Sequence, residues 1–199
     1  MVTKSKPYWL VVTLFAWAYS SISLAGDDHH HEHRSHSAHV HGEAKLSLAL
    51  EGNTLEINLE TPSINIVGFE HKASTDEQAR AVGEAEALLK STQKLFTFSG
   101  TRCDVKEVKV DVSGLENEHL DHHEDDHGHH DEHHGHDDTH SEIGANYSFT
   151  CAQGEKLTSV TVELLNQFPG IEEMDVMWIT EAGQGAVELN PGTKHIHLR

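Results

Sequence analysis

Apolar residues recur at every second position from Ala44 to Leu50, and again at Leu55, Ile57 and Leu59. Gly52-Asn53 stands between the two runs, so the pattern predicts a β-hairpin with one buried face. Pro62 ends its second strand, because proline has no amide to give to a sheet ladder. Ile64, Ile66, Val67 and Phe69 then predict a buried connection. Ser74 and Glu77 have capping-box spacing. Behind them Val82, Leu89 and Phe96 fall seven apart, widened by Ala81, Ala85, Leu88 and Leu95. With Glu84, Glu86, Lys90 and Gln93 on the opposite side, the stripe predicts an amphipathic helix to about Phe96, packed on a sheet.

Further strands are predicted from Cys103 to Val112, Ala145 to Cys151, Leu157 to Leu165, Met174 to Thr180 and Ala186 to Leu189. A slip in the alternation between Val105 and Val108 suggests a bulge, and Trp178 reads as core. The fold class is α+β: one antiparallel β-sheet of about seven strands with one main amphipathic helix, a disordered His-rich loop and a disordered N-terminal tail. If the strands bearing Cys103 and Cys151 pair antiparallel, those two ends lie side by side, as a disulfide requires. Such a bond would be worth about 4 kcal/mol on the chain-entropy account. Thiolate ligation of a metal is the alternative, although neither cysteine belongs to a C-x-x-C unit.

Composition shifts sharply between those two strands. Residues 119–140 hold ten histidines and eight carboxylates, with no Lys, Arg or Cys. So polar a segment cannot bury enough apolar surface to offset the entropy of ordering it, and a mobile loop over 113–145 is expected. Its side chains are nitrogen and oxygen donors for a divalent metal. The candidate ligands are His119, His122, His123, His127, His129, His130, His133, His134, His136 and His140. A second tract over 26–38 supplies the weaker candidates His29, His30, His31, His33 and His36. His39 and His41, two apart, share one face of an extended chain and can reach one metal, unless they merely continue the tract. His71, with Glu70 as an oxygen donor, completes the candidates near the body, although a lone His after an apolar run is most often a packed or surface residue. His195 and His197 repeat the H-x-H spacing at a chain end, where a solvated tail is the simpler reading.

The first 25 residues read as a secretory leader: Lys4 and Lys6, an apolar run from Trp9 to Ala18, and Ser23-Leu24-Ala25 as the cleavage signal. Cleavage after Ala25 predicts an exported protein with no direct membrane anchoring, its α+β domain spanning 39–199. Loss of the leader's two lysines takes the formal charge from −19 to −21. That field attracts cations and argues against nucleic acid as a partner.

Two enzyme patterns occur in the tracts. His123 to His127 matches H-E-x-x-H; His129 to His133 and His29 to His33 match H-x-x-E-H. A zincin needs both histidines on one rigid helix face, and Gly128, Gly135 and the lack of an apolar face argue against one. The expectation is therefore binding and not catalysis. Donor type suits Zn(II), and equally Cu(II), Ni(II) or Co(II), with copper favoured in vitro.

Several segments together resemble the ZrgA-type zinc-uptake family of bacterial periplasmic proteins. They are His39-Val40-His41-Gly42, Leu48 to Gly52, Asn65 to His71, Cys103, the His/Asp tract, Tyr147 to Cys151, Phe168-Pro169-Gly170, Trp178-Ile179-Thr180 and Gly183 to Ala186. The resemblance covers the mature chain. It implies a zinc-binding protein that assists uptake beside an ABC-type zinc importer or its solute-binding protein, and it strengthens His39, His41 and His71 as ligands. A periplasmic buffer for Zn, Cu or Ni is the alternative. A metallohydrolase and an adhesion module with incidental histidines stand further off.

Overall fold

A computed structural model describes residues 40–116 and 141–198. The hairpin forms as its alternation predicts: β1 (Glu43–Glu51) turns through Gly52-Asn53 into β2 (Thr54–Pro62), with Glu51 paired to Thr54. The expected buried connection is a short helix, α1 (Ile64–Val67), whose buried residue is Asn65 and not its aliphatic neighbours. The main helix α2 (Asp76–Leu89) is capped one residue later than predicted. Thr75 Oγ1 accepts from the Gln78 amide, and the Gln78 side chain accepts in turn from the Ser74 amide. It also stops well before Phe96. The chain kinks at Ser91, whose hydroxyl bonds back to the Ala87 carbonyl, then makes α3 (Thr92–Leu95) and β3 (Phe96–Ser99). Leu95 and Phe96 are buried as the stripe requires, but Phe96 arrives on a strand.

Next come β4 (Cys103–Asp111) and β5 (Glu142–Cys151), antiparallel, with the bulge between Val105 and Glu107. The start of β5, from Glu142, and a 3-10 turn at Ser113–Leu115 fall inside the span 113–145 read as loop. The predicted strand over 157–165 is shorter, β6 (Ser159–Val162), and gives way to α4 (Leu164–Gln167). Then β7 (Glu173–Thr180) and β8 (Gly183–Leu189) form a hairpin, and β9 (His195–His197) closes the described chain.

The single antiparallel sheet of about seven strands is corrected in two ways. Among the described residues, nine strands divide between a six-stranded sheet, ordered β4-β5-β2-β1-β7-β8, and a three-stranded sheet, ordered β3-β6-β9. The larger sheet is mixed, because β1 and β7 run parallel. Parallel neighbours need a long crossover, and here the chain between them also forms the helices and the small-sheet strands β3 and β6. These cover one face of the large sheet. Phe96 and Phe98 of β3 meet Tyr147 and Phe149 of β5 edge-on at 4.9–6.1 Å. Val82, Ala85 and Leu89 of α2 join Leu46, Ile57, Tyr147 and Val176 in one core. Trp178 is only partly buried at that core's margin, lying over Gly185 on β8, where a Cβ would come within 2.6 Å of the indole.

The other face carries the outward residues. At one corner Glu43 pairs with Glu173, and Asp175 with Glu188. Repulsion from Glu188 first, then desolvation, Glu43 and Asp175, raises the pKa of Glu173 above the usual carboxylate value. A carboxylate with a raised folded-state pKa costs stability while charged, and the cost disappears as pH falls through that pKa to the unfolded value. Glu173→Gln is therefore expected to raise the thermal midpoint at pH 7, and the gain should vanish as pH falls below the ordinary glutamate value of about 4.3 in a calorimetric series.

Candidate metal centre

His41 stands two residues before β1, in a segment that is held from several sides. The Gly42 amide donates to Asn65 Oδ1 at 2.8 Å, while Asn65 Nδ2 donates to the Glu43 carbonyl at 2.8 Å and to Thr61 Oγ1 at 3.0 Å. The Gly42 carbonyl accepts from Glu172 and Glu173. Asn65 ties the start of β1 to the end of β2 from a buried position, which no apolar residue can do. Gly68 closes α1 in the left-handed region, at φ 85°, and turns the chain into Phe69-Glu70-His71. Ser63 Oγ donates to the Phe69 carbonyl at 2.7 Å and fixes that turn.

The result brings two predicted ligands together: His41 Nε2 lies 3.2 Å from Glu70 Oε1. The Glu70 side chain is 14% exposed and the imidazole 58%, so a largely buried oxygen donor faces an accessible nitrogen donor. His71 is next in the chain, exposed, and stacked on Phe69 at 5.1 Å between ring centroids. Its Nδ1 is 2.9 Å from the Lys72 carbonyl, and donation there leaves Nε2 as the free base. Among the described residues, no three His, Cys, Asp or Glu side chains converge in a geometry able to hold a metal. The geometry thus joins His41 to Glu70 and does not add His71 as a third ligand.

The same corner receives both ends of the segment 117–140. Leu115 accepts from the Ala73 amide at 2.8 Å, and the Ser141 amide donates to the Glu70 carbonyl at 3.3 Å. The two ends also touch one another, with Ser141 Oγ donating to the Gly114 carbonyl at 3.0 Å, and Ser63 donating to the Ser141 carbonyl at 2.9 Å. The short run Glu70–Ala73 therefore anchors the described residues on both sides of that segment and carries Glu70 and His71. The tract candidates His119, His122, His123, His127, His129, His130, His133, His134, His136 and His140 lie outside the described residues. So do His29, His30, His31, His33, His36 and His39, together with the leader and the tail.

His195 and His197 are elsewhere, on β9 of the small sheet. Cys103 and Cys151 are joined in a disulfide between directly opposed residues, which removes them as thiolate ligands. Asn65, Ser63 and Ser141, the polar residues that build the corner, carried no predicted role. The available signal was a lone polar residue inside the apolar run Ile64–Val67. Asn65→Leu is expected to cost about 2–3 kcal/mol in denaturant unfolding, since it strands the Gly42 amide and the Glu43 carbonyl.

Among the described residues no helix is long and apolar enough to cross a membrane. A comparison with curated proteins finds no significant match. The family model described as ZrgA family zinc uptake protein matches residues 38–198, a span that contains the His41–Glu70 pair, the disulfide and every described strand. On that match, the chain belongs to the ZrgA family of zinc uptake proteins.

Proposed function

We propose that the protein is exported to the periplasm, loses residues 1–25 there, captures Zn(II) and passes it to an ABC-type importer or to that importer's solute-binding protein. The observation that carries this reading is the corner at Glu70–Ala73. Both ends of a segment with ten histidines are pinned beside the His41–Glu70 pair. Many weak donors on one tether give a high local ligand concentration, which favours capture over a wide metal range. The pair His41–Glu70 is preorganised, so it binds with less ordering cost than any tract site. His71 and, from the tail, His39 are the nearest further donors. Delivery then proceeds from the incompletely coordinated corner, where a partner's ligands can displace water. No catalytic step is assigned to any residue.

Zinc titration against a chromophoric chelator tests this. The variant His41→Ala/Glu70→Gln is expected to keep most of its zinc equivalents and to lose the tightest class, with at least ~10-fold weaker binding there, since even outer-shell losses cost that much. An unchanged tightest class would remove the corner from the account. Imidazole coordinates only when neutral, so capture by the wild-type chain should weaken progressively below about pH 6.5.

A further inference from the structure

We infer that His195 and His197 form a second, body-borne metal site: a two-imidazole chelate on strand β9 for a divalent first-row transition ion, separate from the corner at Glu70. A solvated chain end would give these residues no fixed geometry. The structure shows the opposite. Strand β9 pairs with β6 through Thr161↔His195, Val160↔Ile196 and Ser159↔His197. The ladder is extended on both sides of the two histidines, by Val162 N–H to the Lys194 carbonyl at 2.9 Å and Leu198 N–H to the Thr158 carbonyl at 3.1 Å. Ile196 and Leu198 are 0% and 2% exposed and bolt the strand to the core. His195 and His197 must then project from the opposite, outer face, and both are exposed.

Residues two apart on a strand stand about 6.6 Å apart along it. Two imidazoles leaning toward each other across that gap can bind one ion at metal–nitrogen distances near 2.0–2.1 Å. One ring is already oriented. His195 Nδ1 lies 2.9 Å from Thr161 Oγ1 on the neighbouring strand. With the proton on Nδ1, that bond directs Nε2 outward as the coordinating atom, as a hydroxyl or carboxylate acceptor does for a metal-bound histidine. The nearest carboxylate on the adjoining segment, Glu163, is occupied by Lys194 at 3.1 Å and by Asn166. The chelate therefore has two protein ligands and leaves its remaining positions to water. It should be weaker than a closed site and exchange quickly. It should also follow the Irving–Williams order, with Cu(II) held more tightly than Zn(II). Strand β9 is an edge of its sheet, so no further strand blocks approach.

Carbethoxylation footprinting of the whole mature chain, read residue by residue by mass spectrometry with and without excess zinc, tests the inference. Zinc is expected to protect both His195 and His197. In His195→Ala, His197 should lose that protection while the tract histidines keep theirs, and His197→Ala should expose His195 in the same way. Both positions are on the surface, so the fold is expected to survive, and an unchanged circular dichroism spectrum checks this. Protection of His197 that persists in His195→Ala would mean independent single-histidine binding and would overturn the chelate. So would absence of protection at both residues in the wild type. Protection on β9 with none in the tracts would instead count against the capture reading and leave this site standing.

Discussion

Excision of residues 119–140, with a short Gly/Ser linker in their place, is expected to remove most of the protein's zinc capacity and leave its fold intact. Half of the chain's twenty histidines go with that segment. Leu115 and Ser141 keep their bonds to Ala73 and Glu70, and Gly114 and Ser141 already touch, so a short linker can join them. Shortening a loop also lowers the entropy of closing it, by about 0.6 kcal/mol for each halving. The excised protein should therefore melt at or slightly above the wild-type midpoint. Calorimetric zinc titration should show the surviving binding confined to the body and the tail. Retention of the full zinc stoichiometry would show that the tract is not the capturing element. Cooperative unfolding at a much lower temperature would show that the corner at Glu70–Ala73 needs the tract for its own stability.

Loss of the disulfide should have the larger effect on stability. Cys103 and Cys151 face each other across β4 and β5 and are separated by 48 residues, a loop that contains the whole tract. Closing a loop of that length in the unfolded chain corresponds to about 4 kcal/mol. The bond also sits at a junction. The Cys151 amide donates to the Asn53 carbonyl at the β1–β2 turn, and the Ala152 amide to the Arg102 carbonyl, so two hairpins are tied there. Replacement of both cysteines by alanine is expected to lower the thermal midpoint by roughly 10 °C. Zinc binding below the new midpoint should be unchanged, because neither sulfur serves as a ligand. A parallel loss of zinc at low temperature would contradict that separation of scaffold and capture.

Local patterns carried much of this architecture. The alternation at Leu46–Leu50 and Leu55–Leu59 specified the first hairpin, because a slip of one residue would turn every buried leucine outward. The broken alternation at Val105–Val108 marked a real bulge, and the positions of Cys103 and Cys151 at opposite strand ends marked a real bond. Long-range pairing was another matter. Nothing in the residues of β1 or β7 says that they run parallel, since each buries alternate side chains on one face with any partner. Short apolar runs were equally ambiguous. Phe96 continues a heptad stripe in sequence yet reaches the core from a strand, because Ser91 breaks the helix between them. At the candidate site the donors were legible as residue types, but their meeting was not. His41 reaches Glu70 because Asn65 and Ser63 fold the intervening chain back. A buried asparagine among isoleucines gives its purpose only when its partners are seen. The C-terminal pair His195 and His197 moved the other way, from an expected frayed end to a bonded strand.

Under the proposed function, imidazole-rich segments on a small, disulfide-tied scaffold gather transition-metal ions for uptake. Equilibrium dialysis of the purified mature protein against zinc at neutral pH tests it most directly. Several zinc ions bound per chain, released on acidification below about pH 6, is the result expected. Retention of no more zinc than an equally acidic protein without histidine would contradict it.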